Sequence, residues 1–142
     1  MQQLSRPAEL AWITILRVGP HLLDQVEAAL KAEGFPPLAW YDILWELERA
    51  KQPLRPRDLG KSLLVARYNL SRLLDRLEAE GLIAREVCPG DARGQVLKLT
   101  RAGKALRAKM WPSYESAIKS TLENRLTGAE AETLANLLNK LR

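Results

Sequence analysis

The stretch that most limits what this chain can fold into is residues 67–80, RYNLSRLLDRLEAE. Leu70, Leu73, Leu74 and Leu77 recur at helical spacing and define one narrow apolar face. Tyr68, Ser71, Arg72 and Asp75 point the other way, with Asn69 and Arg76 on the shoulder. A helix of this kind docks along a single stripe and leaves a polar surface suited to base edges and phosphates. Alone it could equally be a solvated bundle helix, so its flanks decide the reading. Before it, Pro56 suits the first position of a short helix, PRDLGKSLL, with Leu59, Leu63 and Leu64 facing inward. Val65-Ala66 then makes the turn into the longer helix, and Gly81 closes that helix. Two helices joined by a short turn, the second presenting polar groups, form a helix-turn-helix pattern.

Beyond Gly81 the period changes to two. Ile83 and Val87 alternate with Arg85, PGDARG supplies turn chemistry, and Val96, Leu97 and Leu99 surround Lys98. These residues predict a two-stranded hairpin with a basic tip. Upstream, residues 5–33 read as helical with an apolar stripe of Leu10, Ile13, Leu16, Leu22, Leu23, Val26 and Leu30, ending at Gly34. Gly19-Pro20 predicts a kink or restart within that run. Residues 38–50 form a second helix with Trp40, Ile43, Leu44 and Leu47 buried, and Pro53 and Pro56 frame the turn that follows. After the hairpin, Thr100 caps a helix bearing Leu106, Met110, Tyr114, Ile118, Leu122 and Leu126, which Pro112 should bend. Thr127 and Glu130 make a capping box for a last helix carrying Leu134, Leu137, Leu138 and Leu141. The first and last helices carry more apolar surface than one module can cover, which a partner subunit would explain.

The charge is placed unevenly. Residues 55–107 hold twelve Lys/Arg against six Asp/Glu, whereas the remainder holds ten against eleven. The excess positive charge thus coincides with the helix-turn-helix and hairpin, where it would attract a polyanion. The single cysteine, Cys88, cannot form an internal disulfide, and Cys88 and the single histidine, His21, offer no metal-ligand spacing. No metal or cofactor is expected. No apolar run is long enough to span a bilayer and no signal peptide is evident, so the expected location is the cytoplasm. Neither a Ser/His/Asp or Cys/His set nor a phosphate loop is present, which argues against an enzyme.

Taken together, NLSRLLDRLEAEGLIARE (69–86) and GDARGQVLKLTRAGKAL (90–106) resemble the MarR family of bacterial winged-helix transcriptional regulators. The likeness rests on Gly81-Leu82-Ile83 leading into the wing, the Asp91-Ala92-Arg93 wing motif and Leu99-Thr100-Arg101-Ala102-Gly103 opening the next helix. It implies a mainly α fold with a small β-hairpin wing. Residues 38–103 would be the winged helix-turn-helix, and 1–34 and 104–142 the dimerisation helices of a single domain. The function it implies is that of a homodimeric regulator of transcription, expected to be a repressor of a double-stranded DNA operator, released by a small molecule. Two departures weaken the expected grip: Ala66 stands where relatives often have a Ser or Thr helix cap, and Ala92 where many have a second arginine.

Within that frame Arg72 is suited to guanine O6/N7 and Asn69 to adenine N6/N7. Tyr68 and Ser71 serve bases or phosphates, and Arg67 and Arg76 suit phosphates. Arg93, oriented by Asp91, is suited to the minor groove. Arg85 and Lys98 would supply phosphate contacts or general field, as would Arg57 and Lys61. An Arg72–Asp75 ion pair is the bland alternative for the helix face. Trp12, His21, Trp40, Tyr41 and Trp45 are candidates for a small aromatic effector, although such clusters more often serve as core. A winged-helix protein–protein adaptor without specific DNA binding is the alternative function, favoured by Ala66 and Ala92 and opposed by the basic middle third.

Overall fold

A computed structural model describes residues 3–88, 90 and 94–142. Two compact units emerge. One combines the chain up to Glu33 with Ser113–Arg142; the other is Gly34–Pro112. Among the described residues the elements run in order α1 (Arg6–Ala32), α2 (Leu38–Ala50), α3 (Pro56–Ser62), α4 (Leu70–Ala79), β1 (Ile83–Val87), β2 (Gln95–Leu99), α5 (Arg101–Ile118) and α6 (Gly128–Asn139). The architecture is mainly helical with a two-stranded antiparallel wing, as the periodicities predict.

In the first unit, Ser5 caps α1 by accepting from the Ala8 N–H at 3.2 Å. The helix continues through Pro20 without the restart that was one of two expectations there, a kink being the other. Pro20 lacks the N–H that would reach the Leu16 carbonyl, and both residues lie on an exposed stretch of α1. Of the apolar stripe on α1 only Val26 and Leu30 are buried. After α5, which likewise passes through Pro112, Lys119–Glu123 winds as a π-helix, with the Asn124 N–H reaching the Lys119 carbonyl at 2.8 Å. The capping box at α6 forms in both directions: the Glu130 N–H donates to Thr127 Oγ1 at 3.1 Å and the Thr127 N–H to Glu130 Oε1 at 2.9 Å.

The second unit is built on a core of Ile43, Leu44 and Leu47 from α2, Leu59 from α3 and Leu63 at its C-cap, and Leu74 and Leu77 from α4, closed by Ile83 and Leu97 of the wing. Each such side chain contributes about 1.5–3 kcal/mol when fully buried, so the three short helices are held by this shared centre rather than by their own propensity. Leu64, expected inward, is instead 72% exposed. Leu63 already fills the core position, and the chain leaves the helix there, breaking the helical period.

The wing register pairs Ile83 with Leu99, Arg85 with Leu97 and Val87 with Gln95. A period of two puts Arg85 on the same side as Ile83, not alternating with it, and leaves Val87 exposed at the far end. Leu54, assigned by sequence to a plain turn, makes a bridge to β2: its N–H donates to the Leu97 carbonyl at 3.0 Å and its carbonyl accepts the Leu97 N–H at 2.6 Å.

The exit of α4 is a Schellman motif. Gly81, at φ 74°, donates to the Glu78 carbonyl, and the Leu82 N–H reaches the Leu77 carbonyl at 2.9 Å. Thr100 ties this junction to α5: its hydroxyl donates to the Gly81 carbonyl at 2.7 Å and accepts the Gly103 N–H at 3.0 Å. Gly103 packs so closely on this turn that a Cβ would collide with the Leu82 carbonyl oxygen.

Candidate nucleic-acid interface

The outer face of α4 turns polar and basic side chains to solvent. Ser71, Arg72 and Arg76 are exposed along it, and no side chain among the described residues pairs with Arg72 or Arg76. The Arg72–Asp75 pair does not form. Asp75 instead receives Arg85 Nη2 from β1 at 2.9 Å, and Arg85 Nη1 lies 3.7 Å from Glu78. Arg85 therefore neutralises two acidic groups of α4 and braces the wing against it, pairings that its expected part in phosphate contacts or general field did not include. The signal was in the sequence: period-two placement of Arg85 with Ile83 aims it at the helix that precedes the strand.

Three residues expected on the helix lie before it. Arg67 and Tyr68 belong to the turn, and Asn69 stands at the N-cap position in the left-handed conformation, φ 57°, without a side-chain capping bond. Asparagine tolerates this conformation better than most residues. Ala66 is buried in the core, so it is not the cap position. Arg67 Nε donates to the Leu63 carbonyl at 3.3 Å, and Tyr68 is 86% exposed. Lys98 on β2 lies 3.7 Å from Glu86 across the hairpin, with more than half of its side chain in solvent. Asp91 and Arg93 of the wing tip lie outside the described residues. On α3, Arg57 and Lys61 are exposed and unpaired among the described residues.

The turn between α3 and α4 rests on a residue that the sequence reading passed over. Asp42 of α2 is buried, and its Oδ2 accepts the N–H groups of Leu64 and Val65 at 2.8 Å each and of Ala66 at 3.2 Å. An acidic residue at a core-facing position of α2, between Tyr41 and Ile43, was the available signal.

The aromatic residues fall into separate settings. On α1, Trp12 is 63% exposed, and His21 is within 3.1 Å of Gln25 Nε2, one turn away. On α2, Trp40 packs against the core. Tyr41 stacks with Trp111 at 6.2 Å between ring centroids, and the Arg107 guanidinium lies over the Trp45 ring at 5.1 Å. Arg107 Nε also donates to Glu48 Oε1 at 2.8 Å. Burial opposes the charge on Arg107, but its hydrogen bonds to Glu48 and Tyr41, with their charges, outweigh that cost and raise its pKa. Cys88 is half-buried beside Arg55, whose guanidinium donates to its sulfur at 3.5 Å. No group of acidic, histidine and cysteine side chains among the described residues is arranged to hold a metal, and no described helix is long and apolar enough to cross a membrane.

The basic helix face, the wing and the basic middle third together specify a winged helix-turn-helix. A model of the MarR family matches residues 33–94. Over 125 residues the chain is 32% identical to the multiple antibiotic resistance protein MarR of Escherichia coli (strain K12), covering 85% of this chain and 86% of that protein. The chain belongs to the MarR family. Solved MarR-family structures superpose closely on it. One is a transcriptional regulator from Streptomyces coelicolor in complex with DNA, at TM-score 0.87 and 27% identity, covering 99% of this chain and 89% of that one. Another is a cysteine-to-serine mutant of MarR from Escherichia coli complexed with operator DNA, at TM-score 0.81 and 27% identity, covering 99% of both chains. As a member of the MarR family the chain is a transcriptional regulator and not an enzyme.

Proposed function

We propose that this regulator is a homodimeric repressor that binds a palindromic duplex operator through α4 and the wing. The observation that carries the reading is the outer face of α4. Arg72 and Arg76 stand exposed and unpaired among the described residues, while the acidic Asp75 and Glu78 beside them are engaged by Arg85. In this proposal Arg72, Asn69, Tyr68 and Ser71 read bases, Arg67, Arg76 and Lys98 hold phosphates, and Arg93 with Asp91 serves the wing tip. DNA complexes among the relatives support it.

The two-fold partner is argued from apolar surface. Leu10, Trp12, Leu16 and Leu23 on α1 and Leu134, Leu137, Leu138 and Leu141 around α6 are exposed in the single chain. An isolated soluble chain rarely displays so many large apolar side chains on two helices, whereas a second copy would bury them. Residues 1–34 and 104–142 then form the dimerisation region and 38–103 the DNA-binding region of one domain. Release by a small aromatic effector in the cytoplasm completes the proposal. The candidate aromatic groups are Trp40, Tyr41 and Trp45 on α2, the last under the Arg107 guanidinium that Glu48 already pairs, and separately Trp12 and His21 on α1.

Selection of bound duplexes from a random-sequence pool tests the function. The proposal predicts an inverted repeat with half-sites about 10 bp apart centre to centre. Recovery of single, unpaired half-sites would contradict the dimer, and recovery of no motif would contradict sequence-specific binding.

A further inference from the structure

The recognition helix begins without a side-chain cap, and the segment leading into it is held from a distance. Asp42, 5% exposed on α2, places one carboxylate oxygen against three consecutive backbone N–H groups, those of Leu64, Val65 and Ala66. Hydrogen bonds to a carboxylate are stronger than neutral ones, and three converging N–H groups form a small anion nest. The neighbouring Ile43 and Leu44 are fully buried, so the oxygen is carried on a fixed part of the core. Ala66, the last residue held, is itself packed into that core. The pinned turn leads directly to Arg67, Tyr68 and Asn69. At its two ends Leu64 and Tyr68 are 72% and 86% exposed, large side chains that contribute nothing to the core.

We propose that Asp42 is a positioning residue for DNA readout: it fixes the path of residues 64–66 and so aims Leu64, Tyr68 and the first turn of α4 at base edges. Leu64 and Tyr68 present the apolar surface that a thymine methyl or a sugar would meet. Phosphate contacts by long, flexible cations tolerate a shift of this turn, whereas base contacts do not. Loss of the pin therefore degrades discrimination between sequences more than affinity for DNA in general. This inference rests on the DNA-binding reading above.

The test uses the full chain with Asp42→Asn, which keeps an acceptor oxygen without the charge, and Asp42→Ala. Affinities are measured for a duplex carrying the selected site and for a scrambled duplex, alongside amide exchange of residues 64–66 and thermal melting. For Asp42→Ala the ratio of specific to scrambled affinity should fall by about tenfold, with scrambled binding within about twofold of wild type. Asp42→Asn should recover part of that ratio, and amide exchange over residues 64–66 should rise in the same order. A lowered melting temperature with an unchanged ratio would make Asp42 merely structural and overturn the proposal. Leu64→Ala with Tyr68→Ala, at two exposed positions, serves as the second variant should the Asp42 variants fail to fold. It should lower the ratio as well, and an unchanged ratio there also overturns the proposal. A wild-type chain that prefers no duplex overturns the DNA reading and this inference with it; wild-type preference retained in Asp42→Ala overturns this inference alone.

Discussion

Arg85 offers the sharpest separation between bracing and direct contact. Its guanidinium reaches Asp75 at 2.9 Å and Glu78 at 3.7 Å, and the two carboxylates are respectively 67% and 43% exposed. At such exposure the Asp75 pair is worth about 0.2–1 kcal/mol to folding, and the longer Glu78 pair less. Arg85→Ala should therefore lower stability by no more than about 1 kcal/mol, measured by denaturant unfolding. Its effect on DNA should be larger, because two uncompensated carboxylates then face the phosphates from the recognition helix. A double-mutant cycle with Asp75→Asn distinguishes the cause. If Arg85 acts by neutralising and bracing α4, Asp75→Asn should restore part of the affinity lost in Arg85→Ala, giving a coupling of about 0.5 kcal/mol or more. Additive effects, with Asp75→Asn improving binding equally in both backgrounds, would refute the brace and return Arg85 to a simple phosphate contact. Fluorescence anisotropy at fixed salt reads all four corners of the cycle.

Arg72→Ala should relax sequence preference at one base position by about 1–3 kcal/mol, whereas Arg76→Ala should weaken all sequences alike and reduce the salt slope by about 1, both seen in competition titrations. Gly103→Ala should destabilise the fold by about 1–3 kcal/mol, because its methyl meets backbone at the Leu82 carbonyl rather than a side chain that can move; thermal melting checks this. Leu137→Asp combined with Leu138→Asp should convert a dimer to a monomer in sedimentation velocity while leaving helical circular dichroism near wild type, since both side chains are exposed in the single chain.

What the sequence revealed and what it concealed divide along contact range. The leucines of α4, the Gly81 stop, the Thr127–Glu130 capping box and the hairpin were all legible, because each is written in neighbouring residues. The start of α4 was read three residues early. The apolar spacing of Leu70 to Leu77 extends smoothly back to Arg67, and nothing local announces that Asn69 adopts a left-handed conformation or that a carboxylate 22 positions upstream holds the turn. Leu64 looked inward because helical period was continued past Leu63, where the helix ends. Arg85 and Leu54 find their partners across a strand register and a bridge, pairings that no one-dimensional period encodes. Pro20 does not restart α1, because one missing N–H leaves the rest of a 27-residue helix in place. On the interface itself, residue types were readable but their settings were not: Arg72 and Arg76 stand unpaired among the described residues while Arg85 engages Asp75 and Glu78.

Anisotropy of the full chain on a labelled duplex carrying the selected inverted repeat, with a scrambled duplex as reference and a salt series for each, tests the central claim most directly. Tight binding to the repeat is expected, at least about a thousandfold over scrambled DNA at moderate salt, weakening steeply as salt rises. Equal, weak binding to both duplexes would contradict a sequence-reading role for α4 and the account built on it.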